Sequence, residues 1–132
     1  MRLITRDTDY AIRTLCLMAD RPKKVFSVSE LTKKLNIPRP FLRKILQILH
    51  KNKILEAFKG KGGGFLLKKS IDKIYLLDLM NIFQGRFSLN RCLFKRKPCP
   101  RIDTCKLRKR IKKMERYLLD ELKKISLGSL LN

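Results

Sequence analysis

Acidic side chains are scarce in this sequence: 11 Asp or Glu stand against 33 Lys or Arg, for a formal net charge of +22. Such an imbalance adds self-repulsion to a compact chain and nothing to its stability, so it implies a polyanionic partner, with DNA or RNA ahead of an acidic membrane surface. The surplus is not a basic tail, because residues 1–90 carry 19 basic and 7 acidic groups and residues 91–132 carry 14 and 4. Long apolar runs are missing too. After Met1-Arg2 no hydrophobic stretch intervenes before Asp7 and Asp9. Nothing reads as a signal peptide or a membrane span, which gives the expectation of a cytoplasmic protein with no membrane partner. Disulfides are rare in that compartment, so the four cysteines are read as metal-binding, catalytic or buried. Histidine is nearly absent. The single one, His50, lies among basic residues. No Ser/His/Asp or Cys/His set is arranged for nucleophilic chemistry, and no P-loop or dinucleotide fingerprint is present. An enzyme is the least favoured class.

Apolar residues make up 44% of the chain, enough for a core, so the charge does not signal disorder. Thr8 to Asp20 has helical apolar spacing at Ala11, Ile12, Leu15, Met18 and Ala19, with Thr8 available as the N-cap. Ser27-Val-Ser-Glu30 has the capping-box form and opens a helix to about Leu35. Asn36-Ile37-Pro38 is a short turn, and a second helix follows from about Arg39 to Asn52. That helix places Leu42, Ile45, Leu46 and Leu49 on one side and Arg39, Arg43, Gln47 and His50 on the other. Two helices joined by a tight turn, the second basic at its start, match a helix-turn-helix whose second helix enters the major groove.

Two strand-like runs, Ile54 to Lys59 and Phe65 to Lys68, flank Gly60-Lys-Gly-Gly-Gly64. A basic, glycine-rich hairpin directly after a helix-turn-helix reads as a wing. The expected fold is therefore mainly α with a small β-hairpin wing. Residues 1–85 would form a winged helix-turn-helix DNA-binding domain, with Leu76 to Gln84 as a further helix ended by Gly85. Residues 86–104 are irregular. A last helix from about Thr104 to Lys124 has apolar positions at Leu107, Ile111, Met114, Leu118, Leu122 and Ile125, a narrow seam flanked by charge. Such a stripe suits a partner helix, so residues 105–132 are read as a dimerisation helix and tail, and the protein as a homodimer that sets two reading helices on two half-sites of a double-stranded DNA operator.

Within the reading head, Arg39 and Arg43 are the base-reading candidates, because Arg contacts guanine O6 and N7 bidentately. Gln47 is a weaker one. Lys44, Lys51, Lys59 and Lys61 would hold phosphates, with Gly62 and Gly63 at the wing tip near the minor groove and Ser27 and Ser29 at the start of the first helix completing the DNA-binding set.

Cys92, Cys99 and Cys105 are separated by six and then five residues. Structural zinc wants closer pairs. Spread thiolates can hold an iron–sulfur cluster; three incidental or redox-active cysteines are the plainer alternative. Cys16 lies in the apolar surroundings of the first helix and is read as core.

Met1-Arg-Leu3, Thr8-Asp-Tyr-Ala11, the helix-turn-helix, Gly60-Lys-Gly-Gly-Gly-Phe65, the cysteine trio and Leu127-Gly-Ser-Leu130 together resemble the Rrf family of winged-helix bacterial transcription regulators, over nearly the whole chain. The resemblance implies that Cys92, Cys99 and Cys105 are metal ligands to an iron–sulfur cluster, with residues 86–104 as the cysteine-containing cluster-binding loop. IscR-like members add a His three residues after the last cysteine, where this chain has Arg108. NsrR-like nitric-oxide sensors use an Asp near the N-terminus of the other protomer, and Asp9 stands at the matching place. The resemblance is thus closest to the NsrR-like branch. It implies a 4Fe-4S cluster, with 2Fe-2S as the second choice, and cluster-gated repression in response to nitric oxide, redox state or iron–sulfur status. The alternatives are a metal-free thiol-redox or ligand-responsive regulator of the same fold and, further off, a basic RNA-binding protein.

Overall fold

The computed structural model describes residues 2–89 and 105–131. Helices α1 (Arg6–Met18), α2 (Val28–Leu35) and α3 (Arg39–Lys51) come first. Strands β1 (Leu55–Phe58) and β2 (Gly64–Leu67) follow, then a short 3-10 turn (Ile71–Lys73), α4 (Leu76–Gln84), α5 (Lys106–Lys123) and a closing 3-10 turn (Leu127–Leu130).

The expected α2–turn–α3 unit forms as read. Ser27 caps α2 by accepting the Glu30 N–H at 3.1 Å. The reciprocal half of the capping box is replaced by an ion pair, because the Glu30 carboxylate is taken by Lys24 with Lys34 nearby. The Lys24 hydrogen bond holds the Glu30 carboxyl below its usual range. Asn36 ends α2 in the left-handed region at φ 55°, its N–H bonded to the Thr32 carbonyl, and Pro38 with Pro40 opens α3. Leu42, Ile45, Leu46 and Leu49 are fully buried along one stripe of α3. They meet Ala11, Leu15 and Met18 of α1 and Leu31 of α2 in a single core.

α1 begins earlier than its sequence indicates. Thr5, not Thr8, is the N-cap. Thr8 is buried and its hydroxyl donates to Gln84 Oε1 at 2.8 Å, a residue 76 positions away that also accepts the Thr5 N–H and donates to the Leu3 carbonyl. A partner that distant in sequence leaves no local signal.

β1 and β2 pair antiparallel, from Leu55 opposite Leu67 to Phe58 opposite Gly64. Phe26 adds a one-residue third strand by exchanging two 2.8 Å backbone hydrogen bonds with Phe65, which ties the hairpin to the segment before α2. α5 is shorter at its start than expected: Cys105 is its N-cap, the sulfur accepting the Arg108 N–H at 3.4 Å. Of the expected seam, Leu122 is buried and Ile111, Leu118 and Ile125 are half-buried, whereas Leu107 and Met114 are 65% and 54% exposed. The chain then returns to the winged domain. The Leu76 N–H bonds to the Ile125 carbonyl and the Leu127 N–H to the Ile74 carbonyl, and Leu127 enters the same core as α1 and α3. Gly128 lies close against Asp72, whose carboxylate would have to swing aside for a Cβ at that position.

Because Leu127 fills core space made by elements more than fifty residues upstream, Leu127→Ala is expected to destabilise the whole domain by about 2–5 kcal/mol. A urea melt followed by circular dichroism should show one cooperative transition shifted to lower denaturant; loss of C-terminal structure alone, with an unchanged main transition, would contradict this packing.

Candidate nucleic-acid interface

With its apolar stripe buried, α3 turns Arg39, Arg43, Lys44, Gln47 and Lys51 outward, all exposed. Arg39 and Arg43 lie one turn apart and, with Pro40, line a shallow open concavity. Arg39 Nη2 donates to Ser29 Oγ at 3.1 Å, so α2 holds one edge of the guanidinium and leaves the other donors outward. Ser29 is thereby brought to the reading face. Ser27 is occupied by its cap. Lys44 stands 3.7 Å from Asp7 in the first turn of α1; both are solvent-accessible, so the pair is a weak tether that a phosphate can displace. His50 is at the far end of α3, with Nδ1 3.2 Å from the Leu55 carbonyl.

The wing carries Lys59 and Lys61 exposed on either side of Gly60. Lys61 and Gly62 form its tip, in a turn closed by the Gly63 N–H on the Gly60 carbonyl at 3.0 Å. Gly64 is confined for a different reason. Its φ is +154° and a Cβ there would lie 2.2 Å from the Phe26 carbonyl oxygen, so only glycine lets β2 approach the Phe26 backbone.

Two contacts were not legible in the sequence. Arg6 stacks over the Phe41 ring at 4.6 Å, and Asp7 reaches Lys44, so the first turn of α1 rests on the exposed side of α3. Nothing in either segment marks the pairing, since the partners are more than thirty residues apart and each reads as an ordinary surface residue.

Asp9, in the same first turn of α1, is part-exposed and pairs with Arg13 at 3.0 Å. Cys105 is half-buried with a free thiol. Cys92 and Cys99 lie outside the described residues, and among the described residues no group of three or more His, Cys, Asp or Glu is gathered for a metal. Cys16 is half-buried rather than fully enclosed on α1; burial, then the Asp20 charge, pushes its thiol pKa up, which suits a structural cysteine. No helix among the described residues is long and apolar enough to cross a membrane.

Against known proteins, residues 4–132 match the model of the Rrf2 family, described as an iron-dependent transcriptional regulator. A protein of Aquifex aeolicus (strain VF5) described as an HTH-type transcriptional regulator is 29% identical over 125 residues, covering 93% of this chain and 87% of its own. Among solved structures, the IscR of T. potens superposes with a TM-score of 0.71 at 14% identity, over 98% of this chain and 85% of that one. CymR of B. subtilis, a global cysteine regulator, superposes with a TM-score of 0.69 at 20% identity, over 98% and 96%. These likenesses bear out the winged-helix fold and the regulator class, and members of this class are not enzymes.

The wing's geometry yields a sharp comparison. Gly64→Ala is expected to cost about 1–3 kcal/mol of stability through the forced clash with Phe26 and to weaken binding to duplex DNA. Gly60→Ala, at φ +88° but with open space around it, should cost less on both counts. Urea melts and gel-shift titrations of the two variants check the order; equal effects would contradict the close approach at Gly64.

Proposed function

The chain belongs to the Rrf2 family of DNA-binding transcription regulators, and on that footing we propose that it is a homodimeric repressor whose operator binding is gated by an iron–sulfur cluster sensing nitric oxide, redox state or iron–sulfur status. The observation that carries the DNA-reading half is the outward face of α3, where Arg39 is oriented by Ser29 one turn before Arg43. Arg39 and Arg43 read guanines, and Gln47 reads further along the groove. Lys44, Lys51, Lys59 and Lys61 neutralise phosphates, with the backbone of Gly62 and Gly63 close to the duplex. Asp7 keeps Lys44 off the groove until a phosphate replaces it.

The family's description as iron-dependent supports the cluster. The donors that the structure describes fit it. The Cys105 sulfur already accepts an amide N–H at the start of α5, the kind of hydrogen bond that cluster sulfurs take, and the Asp9 carboxylate is part-exposed and paired with an exposed Arg13. Cys92 and Cys99 would supply the other two thiolates, and Asp9 would come from the second protomer. Bound there, a cluster would supply iron reactive toward nitric oxide and oxygen. Asp9 shares the first turns of α1 with Arg6 and Asp7, which rest on α3 through Phe41 and Lys44. A change in what Asp9 binds therefore bears on the seating of the reading helix. The exposed Leu107 and Met114, with Tyr117 at 68% exposure, offer the partner protomer an apolar flank on α5.

Protein purified without oxygen is expected to be brown, with a broad band near roughly 400 nm and about four irons per chain, and Cys105→Ala should be colourless and unresponsive to nitric oxide. A wild-type protein that stays metal-free after anaerobic reconstitution, but whose DNA affinity follows thiol oxidation, would replace the cluster with the metal-free thiol switch, which the free Cys105 thiol would serve. Independently, Arg43→Ala should weaken operator binding by about 1–3 kcal/mol, or roughly 5- to 150-fold in Kd, and relax the preference for one base pair. A uniform loss across all sequences would make Arg43 a phosphate contact instead.

A further inference from the structure

The charge of α5 is arranged against the helix's own stability. Its first turn holds no acidic residue, although a helix N-terminus favours anions and disfavours cations. From Lys106 to Arg116 the exposed arc presents Lys106, Lys109, Arg110, Lys112, Lys113 and Arg116. Spacings of three and four residues make these six cations into seven like-charge neighbour pairs, each destabilising in an isolated helix. The one carboxylate in this stretch, Glu115, is turned to the packed side and buried, 3.9 Å from Lys112; Asp120 closes the arc a turn further on. At 100° per residue the arc centres on Lys109, Lys113 and Arg116, opposite Ile111, Glu115 and Leu122, and away from the apolar flank of Leu107 and Met114. α5 packs on α4, α4 on α1 and α1 on α3, so this surface and the reading face occupy opposite ends of the helix series.

We infer that the outer arc of α5 is a second DNA-binding surface, which holds the phosphates of a duplex segment without reading its sequence. A polyanion offsets both the like-charge repulsion and the unfavourable helix terminus. The ridge of Lys106, Lys109, Lys113 and Arg116 rises about 15 Å, along which a duplex presents a charge every 1.7 Å or so. One aromatic side chain, the exposed Tyr117, lies a turn beyond Lys113 at the edge of the arc; a single ring is not the row of stacking platforms that single strands require, and duplex phosphates are the partner that fits. The inference extends the DNA-binding reading but stands on a surface that plays no part in operator recognition.

The test uses a random-sequence 60-base-pair duplex, so that it does not depend on knowing the operator. Affinity would be measured across a potassium chloride series for the wild type, for Lys109→Gln/Lys113→Gln/Arg116→Gln, and for a charge-matched control, Lys23→Gln/Lys69→Gln/Lys73→Gln, with melting curves to establish that each is folded. The α5 variant is expected to lower the slope of log affinity against log salt by about 2.7, so that its deficit against the wild type narrows about 40-fold between 50 and 200 mM salt. The control should keep the wild-type slope, and the α5 effect should persist in an Arg39→Ala/Arg43→Ala background. A wild-type slope in the α5 variant would overturn the inference, as would an equal loss in the control. A loss confined to single-stranded RNA or to anionic lipid vesicles would also overturn it, by assigning the arc to that partner. Failure of the operator reading would show separately, as absence of any sequence preference in the wild type.

Discussion

The burial of one side of α3 determines what the opposite side can do. Leu42, Ile45, Leu46 and Leu49 have no exposed surface, and full burial of each such side chain is worth about 1.5–3 kcal/mol. Four of them at i, i+3, i+4 and i+7 leave the helix a single rotational setting, because turning it by even one residue would trade leucine for arginine in the core. Arg39, Arg43 and Gln47 point outward as a consequence of that setting. The same core receives Phe26, which anchors the wing, and Leu127, which anchors the end of the described chain. Reading helix, wing and C-terminal segment are thus referred to one apolar centre.

Around that centre the molecule tolerates an excess of positive charge that contributes nothing to folding. Its carboxylates are used sparingly: Glu30 between Lys24 and Lys34, Asp7 on Lys44, Asp9 on Arg13. These pairs are all reached by solvent and individually weak. They are better understood as placing side chains than as holding the fold. Asp7 and Arg6 illustrate the point, since together they lay the first turn of α1 on the outer side of α3. Asp9, the candidate fourth ligand, belongs to the same first turn. The segment that carries Asp9 and the reading helix are therefore neighbours through one short helix start, and the three hydrogen bonds of Gln84 fix where that start begins.

Much of this was legible in the sequence because it follows from short-range rules. The period of α3, the Ser27 cap, the Asn36 turn and the glycine-rich wing each announce themselves within a dozen residues. Where the reading departed from the structure, a distant partner was responsible. Thr8 has the chemistry of an N-cap, but Gln84 claims its hydroxyl and the helix starts at Thr5 instead. The α5 stripe has the spacing of an intermolecular seam, yet Leu122 packs against Leu76 and Met80 within the chain and only its N-terminal portion stays open.

Element types, the basic surface and the separation of buried from exposed faces follow from the order of the amino acids alone, since periodicity, capping and charge are properties of neighbours along the chain. Only the tertiary structure decided which surfaces those faces meet: Gln84 on the start of α1, Phe26 beside Gly64, Ser29 on Arg39, and Leu127 returned to the first core. Such pairings join residues from 10 to more than 100 positions apart, where loop closure and packing in three dimensions, rather than local propensity, set the outcome.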